Sequence, residues 1–201
     1  MDLGLVALVF GTIFVVELPD KTFIAALVLS TRYRPLAVWV GVGLAFFVQT
    51  LIAVLAGHLL TYLPEALIKS AALVIFLAGS VLLYRSAPKA ETEEQEQEEE
   101  FAARATESRT GLRAVAASFV VLFAAEWGDL SQLLTISMVA KYGNPASVFL
   151  GAWAALLTVS GLAVLAGRLL LRHVKLSVIH YLGAGVCLVL AAITAWELLA
   201  A

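Results

Sequence analysis

The chain has 201 residues, 62% of them apolar, and a mean hydropathy of +0.96, which is more apolar surface than a water-soluble domain of this size can cover with polar side chains. That excludes a soluble globular protein and gives the fold class: an all-α integral membrane protein embedded in a lipid bilayer. The formal charge is only −2, and no basic patch suggests nucleic acid, so none is expected as a partner. Cys187 is the single cysteine, which excludes an internal disulfide or a cysteine-cluster metal site and leaves it a role in apolar packing.

In chain order, six apolar stretches can be read, at 3–29, 36–60, 66–84, 115–139, 146–170 and 179–199. Each is near or above the roughly 20 residues that a helix needs to cross a hydrocarbon core of about 30 Å. The first opens on Met1-Asp2 without a basic leader and is expected to be retained rather than cleaved as a signal peptide. Near its middle lies a hydrophilic island, Glu17-Leu18-Pro19-Asp20-Lys21-Thr22, and the fourth stretch carries a second, Glu126-Trp127-Gly128-Asp129-Leu130-Ser131. Between the third and fourth stretches, residues 87–111 include the run Glu91 to Glu100, too poor in apolar side chains to fold by itself. A solvated acidic linker is expected there.

Charge sets the orientation. With six spans, ten of the thirteen basic residues fall in the loops near 30–35, 85–114 and 168–177, while Lys69 and Lys141 fall on the other side and Lys21 lies inside a span. The bias of basic loops toward the cytoplasm puts the acidic linker inside and both termini outside, in the cell (inner) membrane. All five tyrosines lie at stretch ends, as an interfacial aromatic belt requires.

The two halves repeat. At an offset of 109, Glu17 aligns with Glu126, Asp20 with Asp129, Thr22 with Ser131 and Tyr33 with Tyr142; at an offset of 110, residues 53–60 match residues 163–170 at seven of eight positions. A unit of three spans is odd, so the second copy enters the membrane from the opposite side. The expectation is six transmembrane helices as two inverted three-helix repeats, 1–86 and 112–201, joined by the linker 87–111, with a working site at the midplane.

A carboxylate at bilayer depth costs roughly 2.5 to 3.5 kcal/mol on insertion scales, so four in matched positions demand a compensating ion or protons. At a spacing of i and i+3, Glu17 and Asp20 share one helix face, as do Glu126 and Asp129. Thr22 and Ser131 add hydroxyls that join them only after local unwinding. Pro19 and Gly128 supply a cause for that unwinding, Pro19 by freeing the carbonyl of Val15 as a further ligand.

These oxygen donors suit calcium, manganese or magnesium rather than zinc, copper or nickel. The candidate ligands are therefore Glu17, Asp20, Thr22, Glu126, Asp129 and Ser131, and the metal is transported cargo rather than a cofactor. With Lys21, four ionised carboxylates sum to −3, which no apolar cavity holds unshielded. The empty site should keep protons that an arriving cation displaces.

Lys21 reads equally as a counter-ion or as a side chain reaching for water. Gln132 and Gln49 are candidate pathway residues, and for Gln49, Thr50, Thr158 and Ser160 bonding between helices is the leading expectation. His58, His173 and His180 lie near stretch ends and are read as surface or interfacial. Gly41, Gly43, Gly57, Gly151, Gly161 and Gly167 are expected to let helices approach closely, and Trp127 to fill volume.

Paired Glu-x-Gly-Asp-(Lys/Arg)-(Ser/Thr) motifs in the first and fourth of six spans resemble those of the Gdt-one type family of calcium/manganese:proton antiporters, over the whole chain. The resemblance implies export of manganese or calcium from the cytosol, with Glu17, Asp20, Thr22, Glu126, Asp129 and Ser131 as the matching functional positions. Pro19 departs from the glycine of that pattern, and Leu130 stands where a basic residue is expected. Two other readings compete: an exporter of cationic amino acids or small organic cations, and a membrane scaffold whose carboxylates brace helices. No phosphate-binding glycine loop or nucleophile–histidine pair appears, so neither an enzyme nor an ATP-driven pump is expected. A homodimer is left open.

Overall fold

The computed structural model describes residues 1–18, 20–104, 110–173 and 175–200, without the side chains of 104 and 166–173. Among the described residues all regular structure is helical. Helix α1 (Leu3–Glu17) starts at Asp2, whose carboxylate accepts from the amides of Gly4 and Leu5 at 2.9 and 3.1 Å. After a break comes α2 (Lys21–Arg32), and then α3 (Pro35–Leu60), opened by a proline where a missing amide hydrogen is harmless. Helix α4 (Glu65–Ser86) runs through a 3-10 turn (Ala87–Lys89) into α5 (Ala90–Arg104). The second half contains α6 (Leu112–Ala125), α7 (Leu130–Tyr142), α8 (Pro145–His173) and α9 (Leu176–Leu199).

The stretches expected as single spans at 3–29 and 115–139 are each two helices, α1 with α2 bent by 69° and α6 with α7 bent by 74°. Among the described residues four helices are long and apolar enough to cross a membrane, and up to six spans result if each bent pair counts as one. The breaks fall on the two hydrophilic islands, where capping side chains replace the helical hydrogen-bond ladder.

The halves interlock through the same contact made twice. In α3, a Cβ on Gly41 would collide with the carbonyl oxygen of Val115 in α6, and in α8 a Cβ on Gly151 would lie 2.7 Å from the carbonyl oxygen of Val6 in α1. Residues 6 and 115 are 109 apart and 41 and 151 are 110 apart, the two offsets of the sequence repeat. Aromatic pairs repeat as well: Phe10 stacks on Phe14 with centroids 5.7 Å apart, and Phe119 on Phe123 at 5.5 Å. Each middle helix thus packs against the first helix of the other half, and α4 packs along α9. Buried residues of both halves form one core cluster that includes Ile13, Phe46, Phe76, Leu134 and Cys187.

Two expectations change here. The acidic linker is helical over Ala90–Arg104 and packs against α2 and α9, with Ala90 and Phe101 buried while most of its glutamates face outward. Glutamate, glutamine and alanine favour helix, and Phe101 anchors the helix by its apolar edge. Ser177 at the start of α9 donates to Glu91 at 3.0 Å. Within the linker, residues 105–109 lie outside the described residues. Of the tyrosines, Tyr62, Tyr84 and Tyr181 are exposed, whereas Tyr33 is buried.

Candidate metal centre

Each island places one carboxylate at the end of a helix and another at the start of the next. Glu17 is the last residue of α1 and Asp20 caps α2; Glu126 directly follows α6 and Asp129 caps α7. The pairs therefore straddle helix breaks, and the shared face of an unbroken helix does not bring them together, because both aspartates have the extended backbone of a cap. Asp20 accepts from the amide of Lys21 at 2.8 Å. Asp129 accepts from the Gln132 amide and the Ser131 hydroxyl, both at 3.0 Å, and Gln132 Oε1 accepts from the Gly128 amide at 2.9 Å. Gly128 turns the chain at φ +79°, a backbone that side-chain-bearing residues rarely adopt. Pro19, at the same place in the first island, lies outside the described residues.

The two islands meet. One carboxylate oxygen from each of Glu17, Asp20, Glu126 and Asp129 lies within 4.8 Å of all the others. Glu17 is fully buried and Glu126 is 2% exposed, and neither oxygen of either has a hydrogen-bond partner among the described residues. A buried carboxylate with no partner does not persist as a bare anion, so this group requires a cation or protons. Unpartnered oxygens aimed at one another are also what a hard divalent cation uses.

The other expected site residues divide. Thr22 is buried beside the cluster's helix break with its hydroxyl unpartnered, whereas the Ser131 hydroxyl is committed to Asp129. Lys21 is half-buried and its ammonium forms no ion pair among the described residues. The Val15 carbonyl, deprived of a donor by the proline at 19, borders α9 at Gly183. Gln49 reaches from α3 to donate to the carbonyl of Phe123 at 3.0 Å, in the last turn of α6, and so braces the second island. Thr158 and Ser160 bond to carbonyls of their own helix instead of bridging helices. Leu130, in the position of the missing basic residue, packs against Gly79 of α4. Trp127 is exposed rather than filling interior volume.

His180 overturns its reading as interfacial. It is 8% exposed and lines a cavity of about 240 Å³ together with Asp20, Leu130 and Glu93, Glu94 and Gln97 of α5. The signal was present in the spacing of α9, where Leu176, Ile179, His180, Gly183 and Cys187 share one buried helical stripe. His58 is exposed, and the side chain of His173 lies outside the described residues. On the Asp129 side the corresponding space is about 10 Å³, bordered by Gln49, Thr50, Ser131 and Gln132. At the far end of α7, Lys141 donates to the Thr194 hydroxyl at 2.8 Å and pairs with Glu197 at 3.3 Å, both on α9.

Comparison with known proteins matches residues 5–91 and 114–201 to the family described as divalent cation/proton antiporter GDT1. The chain is 33% identical over 208 residues to Protein PAM71, chloroplastic, of Arabidopsis thaliana, covering 94% of this chain and 56% of that protein. It is 36% identical over 176 residues to GDT1-like protein sll0615 of Synechocystis sp., covering 82% of this chain and 85% of the relative. The chain thus spans little more than half the length of the first of these relatives. No solved structure matches. With the motifs in both halves inside the matched regions, this multi-pass membrane protein belongs to the GDT1 family of divalent cation/proton antiporters.

Proposed function

We propose that this chain exports manganese or calcium from the cytosol in exchange for protons, by alternating access. Two inverted three-helix repeats, 1–86 and 112–201, rock about a site shared between them, in a cell membrane with both termini outside and the acidic segment 87–111 inside. The observation that carries this reading is the convergence of four carboxylates from both islands within 4.8 Å, two of them buried without a partner. Metal and protons compete for the same oxygens, so arrival of one expels the other, and that competition is the exchange. Glu17, Asp20, Glu126 and Asp129 hold the ion, with Thr22 and Ser131 beside them. Gln49 and Gln132 position the second island. The twofold recurrence of the glycine contact and of the stacked phenylalanines supports an inverted repeat.

The compactness of the cluster disfavours an organic cation, whose single ammonium would leave most of the charge unpaired. Uptake into inside-out vesicles tests the reading, with manganese and calcium offered separately under an imposed pH gradient. Accumulation that collapses with the gradient is expected; flux that moves no protons and ignores pH would sink it.

A further inference from the structure

The wall of the 240 Å³ vestibule contains an imidazole that the carboxylate cluster does not use. His180 is 8% exposed, and its Nδ1 lies 3.0 Å from the carbonyl oxygen of Leu176. A carbonyl can only accept, so Nδ1 carries a proton, and the lone pair that a metal would take is the one on Nε2. Among the described residues the hydrogen bond of this ring is the one at Nδ1. An imidazole fixed through one nitrogen by a backbone carbonyl is how proteins present the other nitrogen to a metal. Gln97, on the α5 side of the same cavity, has its Oε1 buried without a partner.

We propose that His180 is a selectivity residue of the inner vestibule, lending a nitrogen ligand to a first-row transition-metal dication such as manganese on its way to Glu17, Asp20, Glu126 and Asp129. The inference rests on the antiporter reading and deepens it. The four-carboxylate cluster offers only oxygen, which calcium and manganese both accept, so it discriminates weakly between them. Glu93 and Glu94 attract either ion alike. An imidazole nitrogen breaks the tie, because manganese, although it favours oxygen, accepts a nitrogen ligand as a transition metal, while calcium sites are built from oxygen. It acts before the cluster is reached, where a partly hydrated ion exchanges one water for the ring.

The test compares the full chain and His180→Gln in proteoliposomes, with manganese and calcium competing for transport. The manganese-over-calcium preference should fall by about tenfold while calcium flux persists. Electron spin-echo spectra of manganese bound to the purified Glu126→Gln variant, where the ion is held back in the vestibule, should show nitrogen modulation that disappears when His180→Gln is added. An unchanged preference, equal loss of both ions in a variant that elutes as the native protein does, or absence of nitrogen modulation overturns the inference and leaves the antiporter reading standing. Should His180→Gln fail to fold, the nitrogen modulation with His180 intact decides alone. A wild-type chain that moves neither ion overturns both.

Discussion

Around Asp20 the cavity of about 240 Å³ extends to the acidic helix α5, whereas around Asp129 the equivalent space is about 10 Å³, room for roughly one water molecule. The two islands share the glutamate, the aspartate and a hydroxyl residue but differ at the other three positions, and their surroundings differ as well. Near Asp20, α5 packs on α2 and α9 yet leaves a vestibule lined by its Glu93, Glu94 and Gln97. Near Asp129, Gln49 and Thr50 of α3 press in, and Gln132 folds back onto Gly128. Among the described residues the Asp20 side is thus the open one and the Asp129 side the closed one.

The largest effect should follow from removing the charge that both entrances serve. Glu17→Gln and Glu126→Gln should each abolish metal flux and keep the chain assembled, since the amide fills the same space and no hydrogen bond to another described residue is lost. In wild type, metal at 100 times its Kd should raise stability by about 2.7 kcal/mol, and thermal unfolding with and without manganese should find that gain reduced in both variants to what binding in the vestibule alone supplies. Loss of assembly would identify the carboxylates as braces for the helices. Labelling with a membrane-impermeant maleimide tests the asymmetry directly. In a Cys187→Ala background, Ser86→Cys on the vestibule should react from the inner face and Thr50→Cys should not. Equal reaction would break the comparison between the two sides.

A smaller effect tests what the halves share. Gly41→Ala and Gly151→Ala force a methyl group against a backbone carbonyl of the opposing first helix, and each should cost about 1–3 kcal/mol. Similar losses in denaturant titrations would sharpen the view of one contact used twice. A loss at one position only would show that the repeat is no longer mechanically equivalent.

Much of this was legible in the sequence, and the gaps have physical causes. The islands, their offset and the chemistry of their oxygens can be read from residue type and spacing alone. The broken helices were half visible in Pro19 and Gly128, but hydropathy averages over a short capped break, so 3–29 and 115–139 read as continuous. Helix α5 was misread because composition reports the average of its surface, while its docking depends on two apolar positions, Ala90 and Phe101. His180 was misread because distance from a stretch end says little about which side of α9 a residue occupies. Gln49 bridges two helices, as a polar side chain within an apolar stretch predicts, although its acceptor, a carbonyl in the last turn of α6, is visible only in three dimensions.

The smallest predicted effect concerns what keeps the Asp129 side shut. Lys141 is 2% exposed and held by Thr194 and Glu197, tying the end of α7 to α9. Lys141→Met should cost only about 1 kcal/mol, because the Glu197 side chain is 35% exposed and stays hydrated when its partner is lost. The conformational consequence should exceed the energetic one. With that tie gone, Thr50→Cys should begin to react with maleimide from the outer face. Arg32 provides the control, since it lies 109 residues earlier, at the matching end of α2, and borders Glu98 and Glu99 of α5 on the vestibule side of the molecule. Arg32→Met should leave Thr50→Cys protected, because it loosens an entrance already open. If the two substitutions expose Thr50→Cys equally, the Lys141 tie is not what closes the outer side, and the constraint must lie in the packing of α3 against α7.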